Sequence, residues 1–238
     1  MNYFSEGFLW LNDPLNWTNP GGLLDRLVEH LVISFWAVLL ACAIGWPIGI
    51  WLGHRGRGGG AVVTVANLTL AIPTLALLTI LPLTPLGFGK LPVVVALAVF
   101  AVPPLLANSY TGIRQIDPET RDAARGMGLS GGQLLRRVEL PLAVPYLAAG
   151  LRTAAVQVVA TAALASFVNG GGLGEIISAG FGIGMSNGGG GQIVAGGIVV
   201  ALLALLVEAL LAAFQWAVTP RPLRAARRSR VAAAVPAG

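Results

Sequence analysis

Between Ile193 and Val218 the chain reads IVAGGIVVALLALLVEALLAAFQWAV, an apolar run interrupted by one charge, Glu208. A helix of about 20 such residues is long enough to cross a hydrocarbon layer of about 30 Å. Four other stretches meet the same criterion: Leu31–Leu52, Ala61–Leu81, Leu91–Gly112 and Leu142–Phe167, the last with Arg152 inside it. Across the whole chain 55% of the residues are hydrophobic and 11% charged, against about a quarter charged in an ordinary soluble domain. That much apolar surface has no place to go except lipid. The expected fold is therefore all-α: a polytopic membrane helix bundle of about five transmembrane helices.

The net charge of +5 could suggest a nucleic-acid partner, but its distribution argues for topology instead. Arg55 and Arg57 lie between the first two spans. Arg114, Arg121, Arg125, Arg136 and Arg137 lie between the third and fourth, and Arg221, Arg224, Arg227, Arg228 and Arg230 follow the fifth. With five spans, twelve of the fifteen basic residues fall on one face, which the positive-inside rule makes cytoplasmic. This places the N-terminus outside and the C-terminus inside, whereas six spans would split the clusters. No nucleic-acid partner is expected. Residues 1–26 are expected to form an external segment, irregular over Asn12–Gly22, with Leu23–His30 leading early into the first helix. The start, Met1-Asn2-Tyr3-Phe4-Ser5-Glu6, has no basic n-region and predicts no cleavable signal peptide. The polar, Ala-rich tail within 219–238 is expected to be disordered.

Cys42, the single cysteine, lies in an apolar run and excludes an intrachain disulfide or a cysteine-cluster metal site. His30 and His54 have no second ligand at metal-binding spacing and are expected to be plain interfacial residues. No metal, cofactor or catalytic residue is expected.

The longest loop between spans, on the expected cytoplasmic face, carries Asp122-Ala123-Ala124, Gly128, then Val138-Glu139-Leu140-Pro141. This resembles the EAA motif of permeases in binding-protein-dependent ABC importers, E-A-A-x3-G-x9-I-x-L-P. The spacing is met at every position, with Asp122 for Glu and Val138 for Ile. Pro118 and Glu119 suit a first helical turn. Gly128 offers a permissive break, Gln133–Glu139 a second short helix, and Pro141 an end to it that aims the chain into the fourth span. The resemblance implies that Asp122, Ala123, Ala124, Gly128, Val138, Leu140 and Pro141 belong to a helix-turn-helix that docks on a cytoplasmic ABC ATPase. It implies a permease domain over 27–218, a second permease subunit, an external substrate-binding protein and a bacterial plasma-membrane location. Leu129-Ser130-Gly131-Gly132-Gln133 spells the LSGGQ signature of ABC ATPases. The chain has no phosphate-cradling G-x4-G-K-[ST] loop, however, and its one lysine is Lys90. ATP hydrolysis is therefore expected of a separate subunit.

Gly150-Leu151-Arg152-Thr153-Ala154-Ala155-Val156-Gln157-Val158-Val159-Ala160-Thr161 and Gly171-Gly172-Leu173-Gly174 are similar to the corresponding segments of the osmoprotectant branch of this family. That branch imports quaternary ammonium solutes such as glycine betaine, choline and carnitine. The alternative within the class is another small solute, an amino acid or a phosphonate. Thr153, Gln157 and Thr161 recur every four residues and share a helix face. This polar stripe fits either the translocation path or helix–helix packing. Arg152 and Glu208 are the two charges inside the spans. An unpaired charge at that depth costs several kcal/mol, so they are expected to pair. Pro47, Pro73, Pro103, Pro104 and Pro145 interrupt the spans. They suit either kinks that let the bundle switch between inward- and outward-facing states or local packing kinks.

Overall fold

The computed structural model describes residues 2–56 and 58–220. Arg57 and 221–238 lie outside the described residues, and with them the expectation of a disordered tail. The elements are helical throughout the described residues. In chain order they are α1 (Tyr3–Asn12), α2 (Leu15–Thr18), α3 (Leu23–Arg55), α4 (Gly59–Leu68), α5 (Thr74–Ile80), α6 (Lys90–Arg114), α7 (Pro118–Gly126), α8 (Gly131–Leu134), α9 (Leu140–Thr161), α10 (Gly174–Ile183) and α11 (Gly189–Val218). A π turn, Leu135–Glu139, joins α8 to α9, and a 3₁₀ segment, Ala162–Val168, continues α9.

Four helical runs are long and apolar enough to span a bilayer: Leu15–Arg55, Lys90–Arg114, Gly131–Val168 and Gly189–Val218. The expected second span is different in kind. It is a pair of helical pieces, Gly59–Ala71 and Thr74–Leu83, bent by 79°. The cause is Pro73. A proline disfavours helical geometry at the preceding residue, and Ile72 is accordingly extended at φ −76°, ψ 123°. Counting the bent pair as one span gives five.

α6 lies between α3 and α9, and α11 packs on α9 and α10. Lipid supplies no hydrophobic drive between helices, so close van der Waals packing must hold them. Glycines at Gly45, Gly49 and Gly53 permit it. A Cβ on Gly45 would stand 2.9 Å from Leu105 Cβ, on Gly49 2.0 Å from Ser109 Oγ, and on Gly53 2.7 Å from Ile113 Cβ. Gly150 plays the same part for α9 on α6, where a Cβ would meet Asn108 Cβ at 2.9 Å. Outward faces stay apolar: Leu202, Leu205, Leu206, Leu210 and Trp216 of α11 are each more than half exposed in the isolated chain.

Two regions are more ordered than their composition suggested. The N-terminal segment contains α1 and α2, and α1 lies on α11, with Gly7 at the carbonyl of Gly191. The Gly-rich Val168–Gln192 stretch contains α10.

Candidate functional site: the Asp122–Pro141 loop and the polar contacts of the bundle

The loop is a helix-turn-helix. α7 starts on Asp117, whose Oδ1 accepts the amide of Glu119 at 2.9 Å, with Pro118 where a missing N–H is harmless. It ends in a Schellman turn: Gly128 N–H donates to the Arg125 carbonyl at 2.9 Å and Leu129 N–H to the Ala124 carbonyl at 3.2 Å. Gly128 has φ +83°, and nothing lies within 4 Å of where its Cβ would be. Conformation, not crowding, requires glycine there. Ser130 and Gln133 then form a capping box on α8, with Ser130 N–H donating to Gln133 Oε1 at 2.9 Å. The LSGGQ letters thus serve a helix start.

Asp122 and Ala123 are exposed, as is the neighbouring Met127, whereas Ala124 is buried within the chain. The small side chain of Ala124 therefore serves intrachain packing, and the exposed surface of α7 and its turn includes Asp122, Ala123 and Met127. Val138 and Leu140 are half-buried, and Pro141 is exposed. Pro141 does not end the second helix as expected: Gly131–Val168 is one helical run. The π turn makes room, since Leu140 N–H bonds back to the Leu135 carbonyl, five residues away, where a tighter turn would press the proline ring onto the preceding turn.

At the end of this π turn sits Glu139, 1% exposed. Its Oε2 is 2.5 Å from His54 Nδ1 of α3, and its Oε1 is 3.0 Å from Arg121 Nε of α7. The Arg121 contact is an ion pair rather than an aligned hydrogen bond. Arg121 Nη2 also donates to the carbonyl of Ile113 in α6. Removing one partner from such a buried pair costs about 3–5 kcal/mol.

At the opposite end of α3, His30 is fully buried. Its Nε2 is 2.9 Å from the Val159 carbonyl and its Nδ1 3.3 Å from the amide of Leu173. A carbonyl only accepts and an amide only donates, so the ring carries its proton on Nε2. Glu29 accepts the amide of Gly172 at 2.9 Å and pairs with Arg26 at 3.0 Å and Lys90 at 2.7 Å, and Arg26 also meets Glu175. Both histidines, expected to be plain interfacial residues, thus bond α9 or its neighbouring turn from the two ends of one helix. Sequence reasoning missed this cluster. The one signal available was a lone carboxylate, Glu139, between apolar Val138 and Leu140.

Within the spans, the structure brings Arg152 and Glu208 together. Arg152 Nε donates to Glu208 Oε1 at 2.7 Å, Nη2 reaches the same oxygen, and Nη1 donates to Gln215 Oε1 at 3.3 Å. Thr153, Gln157 and Thr161 share a face of α9, but their bonds differ. Thr153 Oγ1 donates to the Ala149 carbonyl at 3.1 Å and Thr161 Oγ1 to the Gln157 carbonyl at 2.7 Å, both on their own helix. Gln157 Nε2 crosses to α6 and donates to the Phe100 carbonyl at 3.3 Å. That carbonyl is free because its ordinary partner, residue 104, is a proline without an N–H.

A bent second span, a four-helix core and a helix-turn-helix between the third and fourth spans together define a known architecture. Residues 45–219 match the binding-protein-dependent transport system inner membrane components. The chain belongs to that family. It is a multi-pass permease subunit of the inner membrane, not an enzyme, and ATP hydrolysis falls to a separate ATPase. As part of an ABC importer it works with that ATPase and a second permease subunit. The chain is 38% identical over 208 residues to the glycine betaine/carnitine/choline transport system permease protein OpuCB of Bacillus subtilis (strain 168), covering 87% of this chain and 93% of that one. It is 37% identical to the choline transport system permease protein OpuBB of the same organism, over 85% and 91%. It is 34% identical to the osmoprotectant import permease protein OsmW of Salmonella typhimurium, over 87% and 96%. A chain of the MetNI methionine ABC transporter in an inward-facing conformation shares the fold, with TM-score 0.73 and 26% identity over 88% of this chain and 100% of that one.

Proposed function

We propose that this permease forms the pathway of an importer for quaternary ammonium osmoprotectants such as glycine betaine, carnitine or choline. The observation that carries the reading is the 38% identity to the glycine betaine/carnitine/choline permease over 87% of the chain. The pathway alternates between inward- and outward-facing states. An external binding protein delivers the solute, and the ATPase docks on the Asp122–Pro141 loop through Asp122, Ala123, Gly128 and their neighbours. The N-terminus lies outside and the C-terminus inside. The basic loop residues support this orientation. The external segment 1–26 precedes the permease domain 27–218, and 219–238 forms the cytoplasmic tail. On this reading Thr153 and Thr161 present hydroxyls to the path that a cationic or zwitterionic solute can pass without being trapped.

The test is uptake of radiolabelled glycine betaine, carnitine and choline in cells lacking their own carriers. The cells express this chain with its ATPase, binding protein and partner permease, beside a Gly128→Val version. At φ +83° a β-branched residue is strongly disfavoured. Uptake lost in the variant, with the protein still in the membrane, supports both the substrate class and the loop. No uptake by the intact assembly removes the osmoprotectant reading. An amino-acid importer is then the second reading, favoured by the shared fold of the methionine transporter.

A further inference from the structure

We propose that Glu139 is the joint through which movement of the Asp122–Pro141 loop reaches the transmembrane helices. It is a positioning residue that holds the ends of α3, α7 and α9 as one unit. The proposal rests on reading that loop as the ATPase-coupling segment.

Three observations carry it. First, the backbone at this junction is irregular. The loop enters α9 through a π turn followed by Pro141, and such turns interrupt the regular hydrogen-bond ladder and recur at functional sites. A side-chain tie across this irregular turn therefore adds to what the ladder provides. Second, the side chain supplies that tie. Each carboxylate oxygen of Glu139 has its own partner on a different element, His54 of α3 and Arg121 of α7. Arg121 extends the connection to the end of α6 through the Ile113 carbonyl. Third, the carboxylate itself is buried, at 1% exposure, while its two partners are only partly so. A buried ion pair is a poor source of stability compared with apolar packing. What it provides is direction, because two oxygens facing two fixed donors define one geometry. Arg121 immediately precedes Asp122, so a push on the exposed surface of α7 is delivered first to this carboxylate.

The experiment uses the complete transporter in proteoliposomes, with solute uptake and ATP hydrolysis measured in the same vesicles. The variants are Glu139→Gln and the double change Glu139→Leu with Arg121→Met. The double change removes both charges together, so it spares the fold the unpaired charge. Both variants should assemble with the ATPase and hydrolyse ATP, while the ATP spent per solute imported rises on the order of tenfold, within the range for disturbed coupling elements. If assembled complexes of either variant import at the wild-type ratio, or lose uptake and hydrolysis in parallel, Glu139 only supports the fold and the joint is refuted. Gly128→Val separates this from failure of the underlying reading. If Gly128→Val leaves uptake and ATPase binding intact, the coupling loop itself is wrong. If it abolishes uptake while the Glu139 variants keep the wild-type ratio, only the joint is wrong.

Discussion

Arg152 and Glu208, on α9 and α11, meet with Nε 2.7 Å from Oε1, and Gln215 closes the group by accepting from Arg152 Nη1 at 3.3 Å. Gln215 Nε2 in turn donates to the Pro145 carbonyl at 3.2 Å. The pair is one charge-assisted unit between two spans, and neither charge has another charged partner among the described ion pairs. Arg152→Leu or Glu208→Leu should each leave a lone charge and lower the amount of folded permease in the membrane several-fold. The swapped pair, Arg152→Glu with Glu208→Arg, should recover much of it. Immunoblots of membrane fractions measure both, and a swap no better than the single changes would show that the two residues do not act as a pair.

Gly128 offers a graded test of backbone conformation. With φ +83° and free space around it, substitutions should rank by their tolerance of the left-handed region and not by size. Asn should be accepted best, Ala should lose about 1 kcal/mol, and Val should lose most. ATPase co-purifying with the permease and solute uptake should fall in that order. A ranking by side-chain volume instead would mean that an ATPase surface, not the turn, sets the requirement.

The loop and four of the five spans were legible in the sequence because their signals are local. An apolar run of about 20 residues has one home, and the Asp122–Pro141 spacing encodes a cap, a turn and a helix start within one segment. The second span was legible as apolar but not as bent, since Pro73 kinks some membrane helices and breaks others according to what satisfies the freed backbone groups. The buried partners were not legible. Glu139 is 85 residues from His54, and His30 is 129 from Val159. Each looks like an ordinary edge residue until the α3–α9 packing joins them. The same holds for Gly45, Gly49 and Gly53, whose meaning lies in α6.

His30 should behave as a structural pin for the Gly171–Gly174 turn. Replacing it with leucine, close in size, leaves the Val159 carbonyl and the Leu173 amide without their partner, at about 1–3 kcal/mol for each unsatisfied group. The detergent-solubilised transporter should melt earlier. A cysteine placed at Ser178 of α10 should react faster with a thiol reagent in the His30→Leu background than alone. Unchanged melting and reactivity would mean that the turn is held by Glu29 and Arg26 alone.

Gln157 decides between the two readings of the polar stripe. Its Nε2 donates to the Phe100 carbonyl that Pro104 leaves without a partner. If that bond is its main task, Gln157→Leu should destabilise the permease, and Pro104→Ala, which restores an N–H to α6, should make the same change nearly harmless. Interhelical bonds of this type in membranes are worth about 0.6 kcal/mol, at most about 1.7, so the coupling between the two changes should fall in that range when measured by thermal unfolding. The stripe as a path makes a different demand. Thr153→Val and Thr161→Val each remove only a hydroxyl that bonds its own helix, so stability should change little while the solute concentration for half-maximal uptake, or the maximal rate, shifts. Uptake kinetics of the two threonine variants beside the Gln157–Pro104 cycle therefore assign each residue separately. The bond to Phe100 predicts the first outcome for Gln157, and the threonine variants decide whether the same face of α9 also meets the solute.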